Sequence, residues 1–527
     1  MTSTMHRNAA VASGAPVSRH MNLPAAPREP RAGVREWTAL AVLMLPVLLV
    51  AVDATVLSFA LPSISQALTP TGTQLLWMVD IYPLVLAGLL VSMGSLADRI
   101  GRRRLLLVGA VGFAAVSALA AYAPSAEWLI AARAALGFFG AMLMPATLSL
   151  LRNLFMDRQQ RRLAIAIWAA GFSGGAALGP IVGGFLLEHY WWGSAFLMAV
   201  PVLVLLLILA PIFVPESRDP APGRFDVVSI ALSLTTMAPL VYAIKSVAHD
   251  GISTLAVGLV AVALLAGSAF VHRQLTRPDP MLDVRLFRRS AFTGAVLANL
   301  LAVFALVGFL FFVAQHLQLV LGYSPMQAGM ILLPGLIVTI VAGLAVVPLV
   351  RVVPPRVVVA GGLLISAAGY TAILFTANDP NAFGLGAAFV LLGLGIGAAE
   401  TISNDVIVSS VPADKAGAAS AISETAYELG AVLGTAVLGG ILSAVYSARV
   451  VVPAGLDHAS AASASETLGG ATTVAATLPE PVATQLLESA RHAFDGGVVM
   501  TSGIAVVLVL AAAALVWLTL RGKGAES

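Results

Sequence analysis

Long apolar runs follow one another from Trp37 to Leu520, each ended by a short stretch where Arg, Asp, Pro or Gly collect. Crossing the hydrocarbon core of a bilayer as a helix takes about 20 mainly apolar residues. Fourteen runs meet that length, from 37–61 to 498–520, with 227–244 and 253–270 the shortest. Nowhere do polar and apolar residues alternate over strand-length segments, as a transmembrane barrel requires. The pattern therefore predicts an all-α polytopic membrane protein with 14 transmembrane helices, helices being the other way to satisfy every backbone group in lipid. The first 36 residues carry Pro, Ser and Arg without the apolar centre of a signal peptide, so they read as a tail and the first helix directs insertion.

The charges between the runs test this count, because a missed or invented helix inverts the sidedness of everything after it. All but four of the 29 Lys and Arg fall in the tails and even-numbered loops. Lys245, Arg449 and Arg491 fall in the opposite loops, and Arg133 lies inside a helix. By the positive-inside rule both termini are cytoplasmic, in a bacterial inner membrane. Composition agrees: 59% of the chain is hydrophobic and 10% charged, against about 25% charged in soluble domains. The net charge of +3 then reflects topology and not a nucleic-acid surface. With no cysteine, disulfides, thiolate metal sites and cysteine nucleophiles are excluded.

The spacing of the runs divides the chain into a cytoplasmic tail (1–36), six helices (37–214), a two-helix insertion with basic flanks (215–290), six further helices (291–520) and a short cytoplasmic tail (521–527). Removing the insertion leaves six helices on each side, as in transporters built of two related halves. A long periplasmic loop, 446–497, is rich in Ala, Ser and Thr, and its amphipathic patch at 482–494 predicts a short surface helix.

After the second run the chain reads Gly94-Ser95-Leu96-Ala97-Asp98-Arg99-Ile100-Gly101-Arg102-Arg103-Arg104. This resembles the signature loop of the major facilitator superfamily, and the resemblance implies the major facilitator fold. Asp98 at a helix end can hold a neighbouring helix terminus or an arginine, a latch that opens as two halves rock. The equivalent loop of the second half, 351–356, lacks the Asp and both Gly. In the fifth run Gly171, Gly175, Gly179 and Gly183 recur every fourth residue beside Pro180 and Gly184. Such a stripe lets another helix approach closely, and the stretch from Gly175 to Gly184 resembles the antiporter motif of drug-exporting members.

Ionisable residues inside the runs are costly, at least ~2.5–3.5 kcal/mol each at the bilayer centre on insertion scales. Asp53, Asp80 and Arg133 sit at similar depth in the outer half, so Arg133 can hold Asp53 or Asp80 ionised. Glu424 and Glu428 lie one turn apart with Tyr427 between them. Like charges so placed in low dielectric cannot both ionise cheaply, which makes the pair a place to carry a proton. The same group suits a delocalised organic cation, through charge attraction and contact with the ring. Glu400 is near mid-membrane, Asp405 is nearer the cytoplasm and solvated, and His316 is expected at the interface.

The stretches Asp53–Pro62, Trp77–Gly88 and Ile422–Gly430, with the long loop before the last helix, resemble the quaternary-ammonium and biocide exporters of the fourteen-helix drug:proton antiporter family. That resemblance implies that Asp53, Asp80, Glu424 and Glu428 are protonation and cation-recognition carboxylates. Some members carry a further acid in the tenth helix, where this chain has only Thr339 as a polar residue of note. No Walker loop, metal-ligand cluster or nucleophile elbow occurs, so neither an enzyme nor a metal or cofactor is expected, and an ion gradient must supply the energy. The expected function is proton-coupled export of lipophilic cations by a monomer whose partners are small cations, protons and membrane lipid. Export of one endogenous metabolite on the same scaffold is the alternative, and a non-transporting receptor or assembly subunit is a third.

Overall fold

The computed structural model describes residues 31–218, 226–278, 280–376, 381–411 and 416–520. Residues 1–30 of the expected 1–36 tail, the expected tail at 521–527, and Arg224 in the basic flank of the insertion lie outside the described residues. Among the described residues there is no strand, and fourteen helices are long and apolar enough to cross a membrane. They are α1 (Val34–Leu68), α2 (Gly72–Ile100), α3 (Arg102–Ala121), α4 (Ala126–Leu151), α5 (Gln159–His189), α6 (Ser194–Phe213), α7 (Val227–Val247), α8 (Thr254–Thr276), α9 (Ser290–Val320), α10 (Pro325–Leu349), α11 (Pro355–Phe375), α12 (Ala382–Ser409), α13 (Ala419–Arg449) and α14 (Glu480–Thr519).

Polar side chains start these helices where the chain leaves a loop. Thr71 and Gln74 exchange hydrogen bonds with each other's backbone at the start of α2, and Ser324 and Gln327 do the same before α10. In both cases two N–H groups that the helix leaves unpaired are satisfied. Pro325 then occupies the first turn of α10, where its missing N–H costs nothing.

Helices α1 to α6 pack on one another chiefly through α1–α5, α2–α4 and α3–α4, and α9 to α14 through α9–α13, α10–α12, α11–α12 and α11–α14. Two main seams, α5–α10 and α2–α13, join these sets, with α1 also touching α9. Helices α7 and α8 pair with each other, and α7 touches the rest of the bundle at α2 and α13. The end of the bundle carrying Asp98 and Arg102 is called the basic end below, and the other the loop end.

Two expectations are corrected. The amphipathic patch at 482–494 is no separate surface helix but the first turns of α14, which begins at Glu480 because Leu486, Ala490, Ala493 and Phe494 bury a helical stripe. The rest of that loop folds as two short helices, His458–Glu466 and Leu468–Ala475. They are tied across the bundle: the Glu466 carboxylate accepts from the Gly72 N–H at 2.9 Å, and the Ser65 and Thr467 hydroxyls meet at 3.3 Å. His316, near the end of α9, is buried in a π-helical turn (His316–Val320), with Nε2 2.8 Å from the Asp495 carboxylate of α14. Finally, α7 extends past its expected end at 244 and draws Lys245 inside the bundle.

Candidate substrate and proton path

A cavity of about 720 Å³ runs from Glu424 to the basic end, between α2, α4 and α5 on one side and α12 and α13 on the other. Gly94, Asp98, Arg102, Trp168, Asn404 and Glu424 are among its lining residues. Toward the loop end the two helix sets touch. There α5 meets α10 so tightly that a Cβ on Gly184 would stand 2.7 Å from the Met326 Cα, and Gln318 of α9 donates to the Phe59 carbonyl of α1 at 3.2 Å.

The glycine stripe of α5 faces α1. A Cβ on Gly179 would sit 1.8 Å from the Thr55 hydroxyl oxygen, and that hydroxyl reaches across to the Ala176 carbonyl at 3.2 Å. Gly175 packs on Leu48 and Ala51, Gly183 on Val56, and Pro180 on Gly329 of α10. The stripe thus sets the distance between α5 and the turn of α1 that holds Asp53.

Asp53 is buried and paired with Arg133 of α4, Nη1 to Oδ2 at 2.9 Å, with side-chain exposures of 7% and 2%. Arg133 also donates through Nε to the Met78 carbonyl at 3.1 Å, and its guanidinium lies 4.6 Å over the Tyr82 ring. The Tyr82 hydroxyl is buried without a hydrogen-bond partner, and it lies within electrostatic reach of Asp53, Arg133 and Glu428 of α13. Tyr82 therefore stands between the acids of the two helix sets. Sequence reasoning assigned it no role, although it lies inside the quoted Trp77–Gly88 stretch.

On α13, Glu428 is buried, while Glu424 and Tyr427 are half-buried. Glu400 of α12 is half-buried too, and its carboxylate interacts with that of Glu424. All three carboxylates act on the Tyr427 hydroxyl, and the Tyr427 ring meets Phe172 of α5 edge to face at 6.3 Å between centroids. Among the described residues none of the three glutamates has a salt-bridge partner. Asp405 is exposed.

Asp80 is not held by Arg133, as was one of the two expected pairings. It points to α7, where the Lys245 ammonium lies 2.9 Å from its carboxylate, the two side chains 1% and 0% exposed. The bundle thus contains a second buried base. A lysine next to the end of a short apolar run is indistinguishable in sequence from a loop residue.

The motif loop at the basic end is held locally. Asp98 takes Nε and Nη2 of Arg102 at 2.9 and 2.8 Å, so its partner is the first turn of α3 and not an arginine of the other helix set. Arg99 is exposed, and Gly94 passes Pro145 at ordinary contact distance. Gly101 turns the chain with φ +113°, and its missing Cβ leaves room for the Glu216 carboxylate, which would stand 2.8 Å away. That carboxylate accepts from the Arg103 and Arg104 N–H groups at 3.1 Å each, capping α3 from the segment after α6. Glu216 is a second residue that sequence reasoning missed.

Helices in two sets, a cavity between them open toward one end, and an acid at its inner end are the architecture of a carrier. Residues 43–435 match the model of the Major Facilitator Superfamily, and the chain belongs to that superfamily. It is a multi-pass membrane transporter and not an enzyme, and the family expected from the loop after the second helix is borne out. The chain is 58% identical to the multidrug efflux pump LfrA of Mycolicibacterium smegmatis over 495 residues, 94% of this chain and 98% of that protein. It is 38% identical to the methyl viologen resistance protein SmvA of Salmonella typhimurium, over 90% of this chain and 97% of that one. A bacterial homolog to the human lysosomal transporter Spinster, solved in an inward-facing and unoccupied conformation, shares the fold with a TM-score of 0.66 at 18% identity, covering 94% of this chain and 100% of that chain.

Proposed function

We propose that the protein exports lipophilic organic cations, quaternary ammonium compounds, dyes and biguanides among them, in exchange for protons, and that the conformation described is its cytoplasm-open state. The basic end is then cytoplasmic, as are both termini, and the protein works as a monomer of two six-helix halves with a two-helix insertion. The observation that carries this reading is the group of Glu400, Glu424 and Glu428, of which Glu424 lines the cavity, without a cationic partner among the described residues. A carboxylate in low dielectric with no counter-ion either binds a proton or binds a cation, and exchange needs a group that does both. The Tyr427 ring adds an aromatic face, and the half-buried Glu424 is reachable from the cavity. The multidrug and methyl viologen relatives support organic cations as the cargo.

In this reading the Asp53–Arg133 pair is the second centre of proton coupling, linked through Tyr82 to Glu428. A proton reaching Asp53 releases Arg133, and the rearrangement is passed along α1 to the seam with α5, where Gly175, Gly179, Pro180, Gly183 and Gly184 allow the halves to rock. Gly94, Asp98, Arg99, Gly101 and Arg102 form the cytoplasmic gate that shortens or opens with them. The test is ethidium uptake into inverted vesicles with an imposed inside-acid gradient, comparing native protein with Asp53→Asn. Uptake that needs the gradient and vanishes in the variant is expected. Normal gradient-driven uptake by Asp53→Asn would remove that residue from the mechanism.

A further inference from the structure

The fully buried pair of Asp80 and Lys245 lies away from the cavity, where α2, α7 and α13 meet. Its surroundings are unusual for a plain ion pair. The Lys245 ammonium stands 3.9 Å from the centre of the Trp77 ring, one helical turn before Asp80 on α2, and Tyr242 of α7 packs beside that ring at 6.1 Å. Thr435, in a π-helical turn of α13 (Thr435–Gly439), also interacts with the Asp80 carboxylate. A carboxylate and an indole face around a cation are the chemistry that would hold a free organic ammonium.

We propose that Lys245 is a resident counter-ion: the insertion delivers a tethered cation into a carboxylate–indole cage on α2, and so closes that cage to protons and to substrate. The charge that acts on Asp80 is that of Lys245, whereas Asp53 and Arg133 form their own pair, with Arg133 bonded to the Met78 carbonyl of α2. An unpaired carboxylate in a dry interior takes up a proton. With Lys245 in place the Asp80 carboxylate has its counter-ion, and proton exchange falls to Asp53 and the glutamates of α12 and α13. This assigns α7 a chemical part in the carrier, and explains why the insertion touches the bundle where it does.

The test uses infrared spectra of the purified full chain at neutral pH, a readout independent of any transported solute. Lys245→Met gains a protonated-carboxyl band absent from the native protein and from Lys245→Met combined with Asp80→Asn. A folded Lys245→Met with no such band overturns the proposal. Should the single variant fail to accumulate, the native protein is compared with the double variant. The native spectrum must then carry an additional carboxylate band and no additional protonated-carboxyl band, and the opposite result overturns the proposal. In vesicles where the native protein moves ethidium, the folded double variant keeps gradient-driven uptake with the native pH profile, and loss of that uptake returns Asp80 to the proton path and overturns the assignment. Absence of uptake by the native protein counts against the export reading and leaves Lys245 to be judged by the spectra.

Discussion

Replacing Gly179 by alanine tests how closely α1 and α5 must approach. The added Cβ would lie 1.8 Å from the Thr55 hydroxyl oxygen and 2.8 Å from the Thr55 Cβ, with the Val52 carbonyl oxygen at 3.3 Å. Carbon and oxygen cannot approach to 1.8 Å, and Thr55 has little freedom to withdraw, because its hydroxyl bonds the Val52 and Ala176 carbonyls at 3.1 and 3.2 Å. The helices must separate, at a cost of about 1–3 kcal/mol, as for other overpacked cores. Thr55→Ala removes the nearest atom but leaves the contact at 2.8 Å, so the double variant recovers part of the loss and not all of it. Residues in contact show such non-additivity at roughly 0.5–3 kcal/mol. The assay is thermal unfolding of the four proteins of this cycle in detergent, followed by intrinsic fluorescence, with ethidium uptake measured in parallel. Gly179→Ala is expected to melt lower and transport more slowly than native, with Thr55→Ala raising both. A Gly179→Ala protein that melts with the native one, or the same loss with and without Thr55, would refute the close-approach argument.

Glu216→Gln weakens two charge-assisted bonds at the start of α3, where the helix dipole favours an anion, and is expected to cost about 1 kcal/mol, read from the same melting assay. Gly101→Ala costs more, since a positive φ and the Glu216 carboxylate both oppose a Cβ. At the base of the α7–α8 hairpin, burial of Asp226 is outweighed by hydrogen bonds from Arg273 and Ser229, which hold its carboxyl well below the usual carboxylate range. The stability it gives is therefore fully present above about pH 4 and is lost only as the pH falls toward its folded value. The melting difference between native and Asp226→Asn should stay flat from neutral pH to about pH 4 and shrink below, and a difference that fades at pH 5 to 6 would contradict the pairing. Glu424→Gln and Glu428→Gln are expected to differ in effect on monovalent and divalent substrates, measured as resistance of expressing cells to ethidium and to methyl viologen, because Glu424 lines the cavity and Glu428 lies deeper against Tyr82.

The helix count and the loop after α2 were legible because each rests on a local property: twenty apolar residues span lipid whatever surrounds them, and Gly101 records a backbone turn that few other residues make. The stripe of α5 was legible for the same reason, although its neighbour α1 was not, since spacing names a flat face and not what lies on it. What escaped were relations between distant segments. Lys245 looked like a loop residue because hydropathy falls at a charge, yet its ammonium is neutralised by a carboxylate 165 positions earlier in the chain. Glu216 caps a helix more than a hundred residues away, and His316 is buried because Asp495 arrives to bond it. Arg133 was placed at the right depth for Asp53 and for Asp80; choosing between them needed the position of α7.

The central claim is that protons and organic cations exchange through Asp53 and the glutamates of α12 and α13. The most direct measurement is proton movement itself: inverted vesicles are acidified inside, a pH-sensitive dye reports the gradient, and ethidium is added. Native protein should release protons on addition of the cation, and Glu428→Gln should release far fewer at equal expression. A well-inserted native protein that accumulates ethidium without moving protons, or a Glu428→Gln protein that releases them as the native one does, would contradict the account.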